Sequence, residues 1–203
     1  FRRELIEAGI SVPGTAKMGI AATDAVLLGM RRSGFLSRLV QRMNLVSDNF
    51  YAEMLLKQIG ARVRGEGTTA SGARVVVSEL TQRGVPLDGV RIADGSGLSV
   101  YDRLTARALA ALLISAWSDA TIKDPFVASL PIAGVSGTLE DRMKRAPAYA
   151  NVYAKTGTTS TSSTLSGYVR TRYVFSILQN GYPVSWYYAR RTQDRFATVL
   201  AGA

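Results

Sequence analysis

The 203 residues are 47% hydrophobic, carry 25 Lys and Arg against 15 Asp and Glu, and include neither histidine nor cysteine. That content suffices for one domain with its own core, while the missing residue types exclude Ser-His-Asp and Cys-His systems and leave only carboxylates as metal ligands. The net charge of +10 favours acidic partners, whether anionic wall polymer, membrane surface or nucleic acid.

The basic residues are scattered (Arg31, Arg32, Arg62, Arg64, Arg142, Lys144, Arg145, Arg190, Arg191) without an aromatic platform among them, which favours a solvated basic surface over a nucleic-acid site. Apolar runs such as Ala108 to Ile114 are too short to span a bilayer. The chain opens at Phe1 without methionine or a signal-like segment, and its true N-terminus is expected upstream.

Along the chain, Leu36, Leu39, Val40 and Met43 fall at helical spacing. A polar break at Ser47-Asp48-Asn49 follows, then a second helix over Phe50 to Ile59 that Gly60 closes. A glycine-rich connector from Gly65 to Gly72 leads to a third helix through Val76, Val77 and Leu80, stopped by Gly84. Asp94-Gly95-Ser96-Gly97 reads as a turn; it lacks the Gly-x-Ser-x-Gly frame of a nucleophile elbow and the Gly-Lys-Ser/Thr end of a phosphate loop. Leu109, Leu112, Leu113, Ala116 and Trp117 mark an amphipathic helix capped by Thr105, and Pro125 and Pro131 bound a loop.

From Asn151 the texture becomes β-branched and aromatic, predicting antiparallel strands over Val152 to Thr158, Thr164 to Thr171 and Tyr173 to Gln179. The last two run together without a turn residue, so a loop is expected to be missing near Thr171 and Arg172. Phe196, Val199 and Leu200 suggest a closing helix on the sheet, and Trp117, Trp186, Tyr187 and Tyr188 are expected in packing rather than at a ligand.

Lys155-Thr156-Gly157-Thr158 carries the most chemistry. Side chains alternate along a strand, and the backbone of an edge strand stays open to a substrate lying beside it. Lys155 supplies positive charge, Thr156 and Thr158 offer hydrogen bonds to a carboxylate, and Gly157 permits close approach; the Thr158 amide suits one half of an oxyanion hole. Ser47-Asp48-Asn49 taken alone is a good helix cap. Its functional reading makes Ser47 a proton-relay hydroxyl and Asn49 an amide that contacts substrate. In this order the motifs are two of the three elements of the penicillin-interacting serine enzymes. The third, Ser-x-x-Lys, is absent, because the positions three residues before each lysine hold Gly14, Met54, Ala120, Asp141 and Val152.

Four blocks in sequence carry a resemblance across nearly the whole chain: Met43 to Glu53, Asp94 to Ser99, Leu130 to Leu139, and Ala154 to Thr158 followed by Leu165 to Val169. In these the chain resembles the low-molecular-mass class C penicillin-binding proteins, the D-alanyl-D-alanine carboxypeptidase/endopeptidases. The resemblance implies an α+β, β-lactamase/transpeptidase-like fold, with a five-stranded antiparallel sheet flanked by helices and packed on an all-helical lobe. Residues 1–203 would then be the C-terminal part of that domain, with the nucleophile segment and inserted domains upstream.

The implied activity is attack by the missing serine on a D-Ala-D-Ala amide of peptidoglycan, through an acyl-enzyme that β-lactams trap. In that scheme Ser47 relays a proton to the leaving amine, Asn49 orients the acyl donor, Lys155 sets the electrostatics, and Thr156 and Thr158 bind the terminal carboxylate beside Gly157. No cofactor or metal is implied. The partners are peptidoglycan peptides and β-lactams, not nucleic acid, and the place of action is the bacterial cell envelope outside the cytoplasm, where peripheral association suits the charge. Two alternatives stand beside it: a wall-binding relative that has lost its nucleophile, and a serine β-lactamase of the same fold, which rapid deacylation would distinguish.

Overall fold

The computed structural model describes residues 1–20, 22–170 and 172–203. The chain forms two units, Phe1–Ser33 and Gly34–Ala203. The first contains a short helix, α1 (Arg2–Glu7), with no buried residue, followed by chain without regular elements among the described residues.

Helix α2 (Leu36–Val46) matches the predicted periodicity and ends where Ser47 adopts the left-handed conformation (φ 55°, ψ 52°). Helix α3 (Asn49–Arg64) runs past the expected stop at Gly60 and ends at Gly65, whose φ of 72° is the left-handed cap. Gly60 is instead a packing residue: a Cβ there would lie 2.6 Å from the Glu66 carbonyl oxygen and 2.7 Å from the Gly72 amide. Gly72, expected in a connector, is buried within α4 (Thr69–Gln82), where a Cβ would run into the backbone of Leu56. These two glycines let α3 and α4 approach backbone to backbone.

Thr105 caps α5 (Ala106–Ser118) as expected, accepting from the Ala108 amide at 3.1 Å. The region between Pro125 and Pro131 is not all loop, because a short helix α6 (Lys123–Val127) places Pro125 in its first turn, where a missing N–H costs no intrahelical bond.

The strands are β1 (Val152–Thr158), β2 (Ser162–Val169) and β3 (Tyr173–Asn180). They form an antiparallel meander in the order β1-β2-β3, with Lys155 opposite Ser166 and Val169 opposite Tyr173. Among the described residues the sheet has three strands rather than the five implied by the resemblance, since alternating β-branched texture is confined to the stretch from Val152 to Asn180. At the β2–β3 connection Arg170 is left-handed (φ 50°) and the Arg172 amide donates to the Val169 carbonyl at 3.0 Å. The expectation of an omitted loop falls in part on Thr171, outside the described residues.

One face of the sheet joins Val152, Ala154, Leu165, Val169 and Phe175 to Ala197 and Ala201 of α7 (Trp186–Gly202) and to Leu139. On α7 the buried positions are Ala189, Gln193, Ala197 and Ala201, an i, i+4 stripe. Of the residues expected on the sheet, Leu200 packs against this core and the Phe196 ring lies 6.2 Å from that of Phe175, whereas Val199 is 72% exposed; the fully buried contacts come from small side chains. The second core cluster buries Tyr168 against Leu113, Leu130, Trp117 and Phe126. The Tyr168 hydroxyl donates to the Leu113 carbonyl at 2.7 Å, and burial pushes its pKa up to about 12.

Trp117 is therefore a packing residue, as expected. Trp186, Tyr187 and Tyr188 are not, being 52%, 62% and 70% exposed at the start of α7. The Trp186 indole N–H reaches the Thr159 carbonyl at 3.2 Å, which holds this aromatic group beside the end of β1.

Candidate active site

Ser47 owes its position to a reversal between two helices. It follows α2 in a left-handed conformation that non-glycine residues seldom adopt. Asp48 then caps α3, its carboxylate accepting from the Tyr51 amide at 3.1 Å. Asn49 is the first residue of α3, exposed, with no side-chain hydrogen bond among the described residues. One turn later Glu53 accepts from the Thr69 hydroxyl and the Gly95 amide, each at 2.6 Å, tying α4 and the Asp94 turn to the helix that carries Asn49.

That turn is closed by Asp94, whose carboxylate accepts from the amides of Gly97 (2.6 Å) and Ser99 (2.8 Å). Burial alone would raise its pKa, yet those amides and the neighbouring Asp102 carboxyl lower it. Asp102 shifts upward, through burial first and the Asp94 charge besides. The block is thus a self-braced turn, as the sequence suggested, and Ser96 serves it by contacting Asp94 at 3.3 Å.

Lys155 lies on β1 at the sheet's edge, where the outer side pairs only through an isolated bridge between Tyr153 and Ile132 among the described residues. Its ammonium donates to Ser47 Oγ at 2.8 Å and to the Thr156 carbonyl at 2.7 Å. Burial lowers its pKa from 10.5 to about 8. The charge is therefore present at neutral pH but not fixed far above it. Thr156 donates its hydroxyl to Thr138 Oγ1 at 2.8 Å. Gly157 sits opposite Thr164, and a Cβ there would come within 2.6 Å of the Thr164 hydroxyl, so the neighbouring strand also demands glycine. Thr158 is exposed at the end of β1.

The two motifs, 108 residues apart from Ser47 to Lys155, thus meet through one hydrogen bond. Thr138, on a 3-10 turn (Gly137–Leu139), joins them and was not singled out from the sequence. A groove of about 690 Å³ between α4 and the segment from Arg91 to Tyr101 shares no residue with this cluster. Hydrogen bonding and the depressed lysine, rather than cavity size, mark the site.

A helix-flanked antiparallel sheet whose edge-strand lysine bonds a serine set between two helices belongs to the transpeptidase-like α+β class. The chain matches the D-Ala-D-Ala carboxypeptidase 3 (S13) family over residues 1–202, and it belongs to that family. It is 38% identical over 193 residues to a D-alanyl-D-alanine carboxypeptidase of Actinomadura sp., covering 90% of this chain and 36% of the relative. It is 32% identical over 176 residues to a carboxypeptidase of Mycobacterium tuberculosis, covering 84% of this chain and 38% of the relative.

Among solved structures, it superposes with a TM-score of 0.84 and 25% identity on penicillin binding protein 4 from Haemophilus influenzae complexed with a novel β-lactam, covering 99% of this chain and 48% of that one. The chain spans a little over a third of the length of these curated relatives.

Proposed function

We propose that the protein containing this chain is a serine DD-peptidase, a D-alanyl-D-alanine carboxypeptidase/endopeptidase that acts on peptidoglycan stem peptides and is inhibited by β-lactams. The observation that carries the reading is the bond from Lys155 to Ser47. It unites in space the two motifs that acyl transfer requires of this lysine-based chemistry. Family membership and likeness to a structure holding a β-lactam support it.

In this reading a serine outside the chain attacks the carbonyl of the terminal D-Ala-D-Ala amide. Its proton passes to the lysine of its own Ser-x-x-Lys motif, its oxygen forms the new ester bond, the C–N bond breaks, and the departing D-Ala amine takes that proton through the Ser47 hydroxyl. Lys155, still protonated at neutral pH with a pKa of about 8, steadies the Ser47 hydroxyl through its hydrogen bond and attracts the substrate carboxylate. Asn49 contacts the acyl donor from the first turn of α3, and Thr156 and Thr158 receive the carboxylate beside Gly157. Water then cleaves the ester. The nucleophile segment, the strands that complete a five-stranded sheet, and further domains belong to sequence outside these residues; the site of action is the extracytoplasmic cell envelope. No helix among the described residues is long and apolar enough to cross a membrane.

Intact-mass spectrometry of the whole protein before and after benzylpenicillin tests this. Gain of one penicilloyl group that persists for minutes is expected. No adduct would favour a wall-binding role without chemistry, and turnover at many per second would assign a β-lactamase instead.

A further inference from the structure

Thr138 occupies an unusual place. Its turn sits between α2 and β1, because Gly137 (φ 60°) lies so close to α2 that a Cβ would stand 2.7 Å from the Leu45 carbonyl oxygen, two residues before Ser47. Leu139, fully buried, anchors the other side in the core beneath β1. Thr138 itself is exposed and accepts the Thr156 hydroxyl at 2.8 Å, with no other hydrogen bond of its side chain among the described residues.

The direction of that bond matters. A hydroxyl has one proton, which Thr156 spends on Thr138 in this arrangement, so the carboxylate role given to Thr156 above is exercised through Thr138. The unspent proton is on Thr138. A hydroxyl that accepts one hydrogen bond is also the better donor of the next, since the chain polarises along its length.

From this geometry we infer that Thr138 is a substrate-binding residue, donating to the terminal carboxylate of the peptide and linking it to Thr156 in a relay Thr156 O–H to Thr138 O–H to carboxylate. The inference rests on the DD-peptidase reading above and assigns its carboxylate subsite one residue beyond the Lys-Thr-Gly-Thr strand. No bond is made or broken in this step; the residue reads the charge at the substrate's end, with Lys155 supplying the longer-range attraction.

The test uses the whole protein with two peptides, one ending in D-Ala-D-Ala as a free carboxylate and one as its C-terminal amide. The wild-type preference for the carboxylate, as a ratio of kcat/KM values, falls on the order of 10- to 100-fold in T138V. The loss lies in KM, and T138S restores the preference. T138V and T156V combine non-additively, as expected for one relay.

A preference that stays within twofold of wild type in T138V overturns the inference. So does a parallel loss on both peptides, which marks a structural role. If the wild type neither cleaves peptide nor takes up benzylpenicillin, the DD-peptidase reading fails by itself. Calorimetric binding of the carboxylate peptide then decides: weaker binding to T138V than to wild type and T138S retains Thr138 as the anion contact, and equal binding removes it.

Discussion

The helical wall that carries Ser47 and the strand wall that carries Lys155 meet through one hydrogen bond and differ in how they are held. Ser47 stands on a reversal between two helices, fixed by a left-handed residue, an Asp48 cap and the backbone contact of α3 with α4 through Gly60 and Gly72. Lys155 stands on a strand whose every residue is registered against β2 and backed by fully buried Val152, Ala154, Leu165 and Val169. Turn geometry can be adjusted residue by residue, whereas a strand moves only with its neighbours. The chemically demanding group, an ammonium partly stripped of water, is on the more constrained wall.

The largest test of that contrast removes the charge. K155M should reduce the rate of benzylpenicillin acylation by on the order of 10²- to 10³-fold, the loss typical of one preorganised electrostatic contact, measured by rapid-quench labelling of the whole protein. Retention of more than a tenth of the wild-type rate would detach Lys155 from the chemistry.

Next come two glycines, one on each wall. A Cβ at Gly167 would collide with the Tyr153 carbonyl and lie 2.6 Å from Ala154 Cα, next to Lys155; one at Gly72 would collide with Leu56. G167A and G72A should each destabilise by about 1–3 kcal/mol as overpacking does, read from denaturant midpoints. Only G167A should also slow acylation at temperatures where both variants are folded. If G72A slows it equally, the helical wall is as tightly coupled to the site as the sheet.

The pH response sharpens the same point. The native pKa of Lys155, about 8, lies below its ordinary 10.5. Between those values the unfolded chain binds more protons than the native one, so this group's contribution to stability rises with pH across that window and is flat below it. Carboxylate binding runs oppositely: as the ammonium is lost above pH 8, affinity for a D-Ala-D-Ala peptide should weaken about tenfold per pH unit. Calorimetric titration of wild type and K155R from pH 6 to 10 checks this, since arginine stays charged throughout and its curve should be flat.

How far the sequence disclosed all this depended on whether a feature was local. The strand limits around Lys155 and the caps at Asp48 and Thr105 are written in neighbouring residues and were legible. The stop of α3 and the small-residue stripe of α7 were not, because Gly60 and the positions from Ala189 to Ala201 act by allowing close packing, which a reading based on large apolar side chains passes over. The exposed Trp186, Tyr187 and Tyr188 misled for the converse reason, aromatic character having been equated with burial. Five strands came from family resemblance and not from alternation in this chain. The Thr138 contact is tertiary, joining residues 18 apart; the Leu130 to Leu139 block marked its segment by resemblance but not its partner.

The smallest predicted effect concerns the cap beside Ser47. D48A removes the acceptor of the Tyr51 amide, and with it a weak 4.0 Å ion contact to Arg42 that is too exposed to contribute much. A cap loss of about 1 kcal/mol is expected, with D48N retaining most of it because an amide oxygen still accepts the bond. Thermal unfolding and acylation measured on the same preparations separate two roles for Asp48. If it merely starts α3, stability falls and acylation follows only near the unfolding temperature. If its bond also sets the left-handed turn at Ser47, acylation falls in the cold as well, and the serine wall is then held by that one residue more than by the packing of α3 on α4.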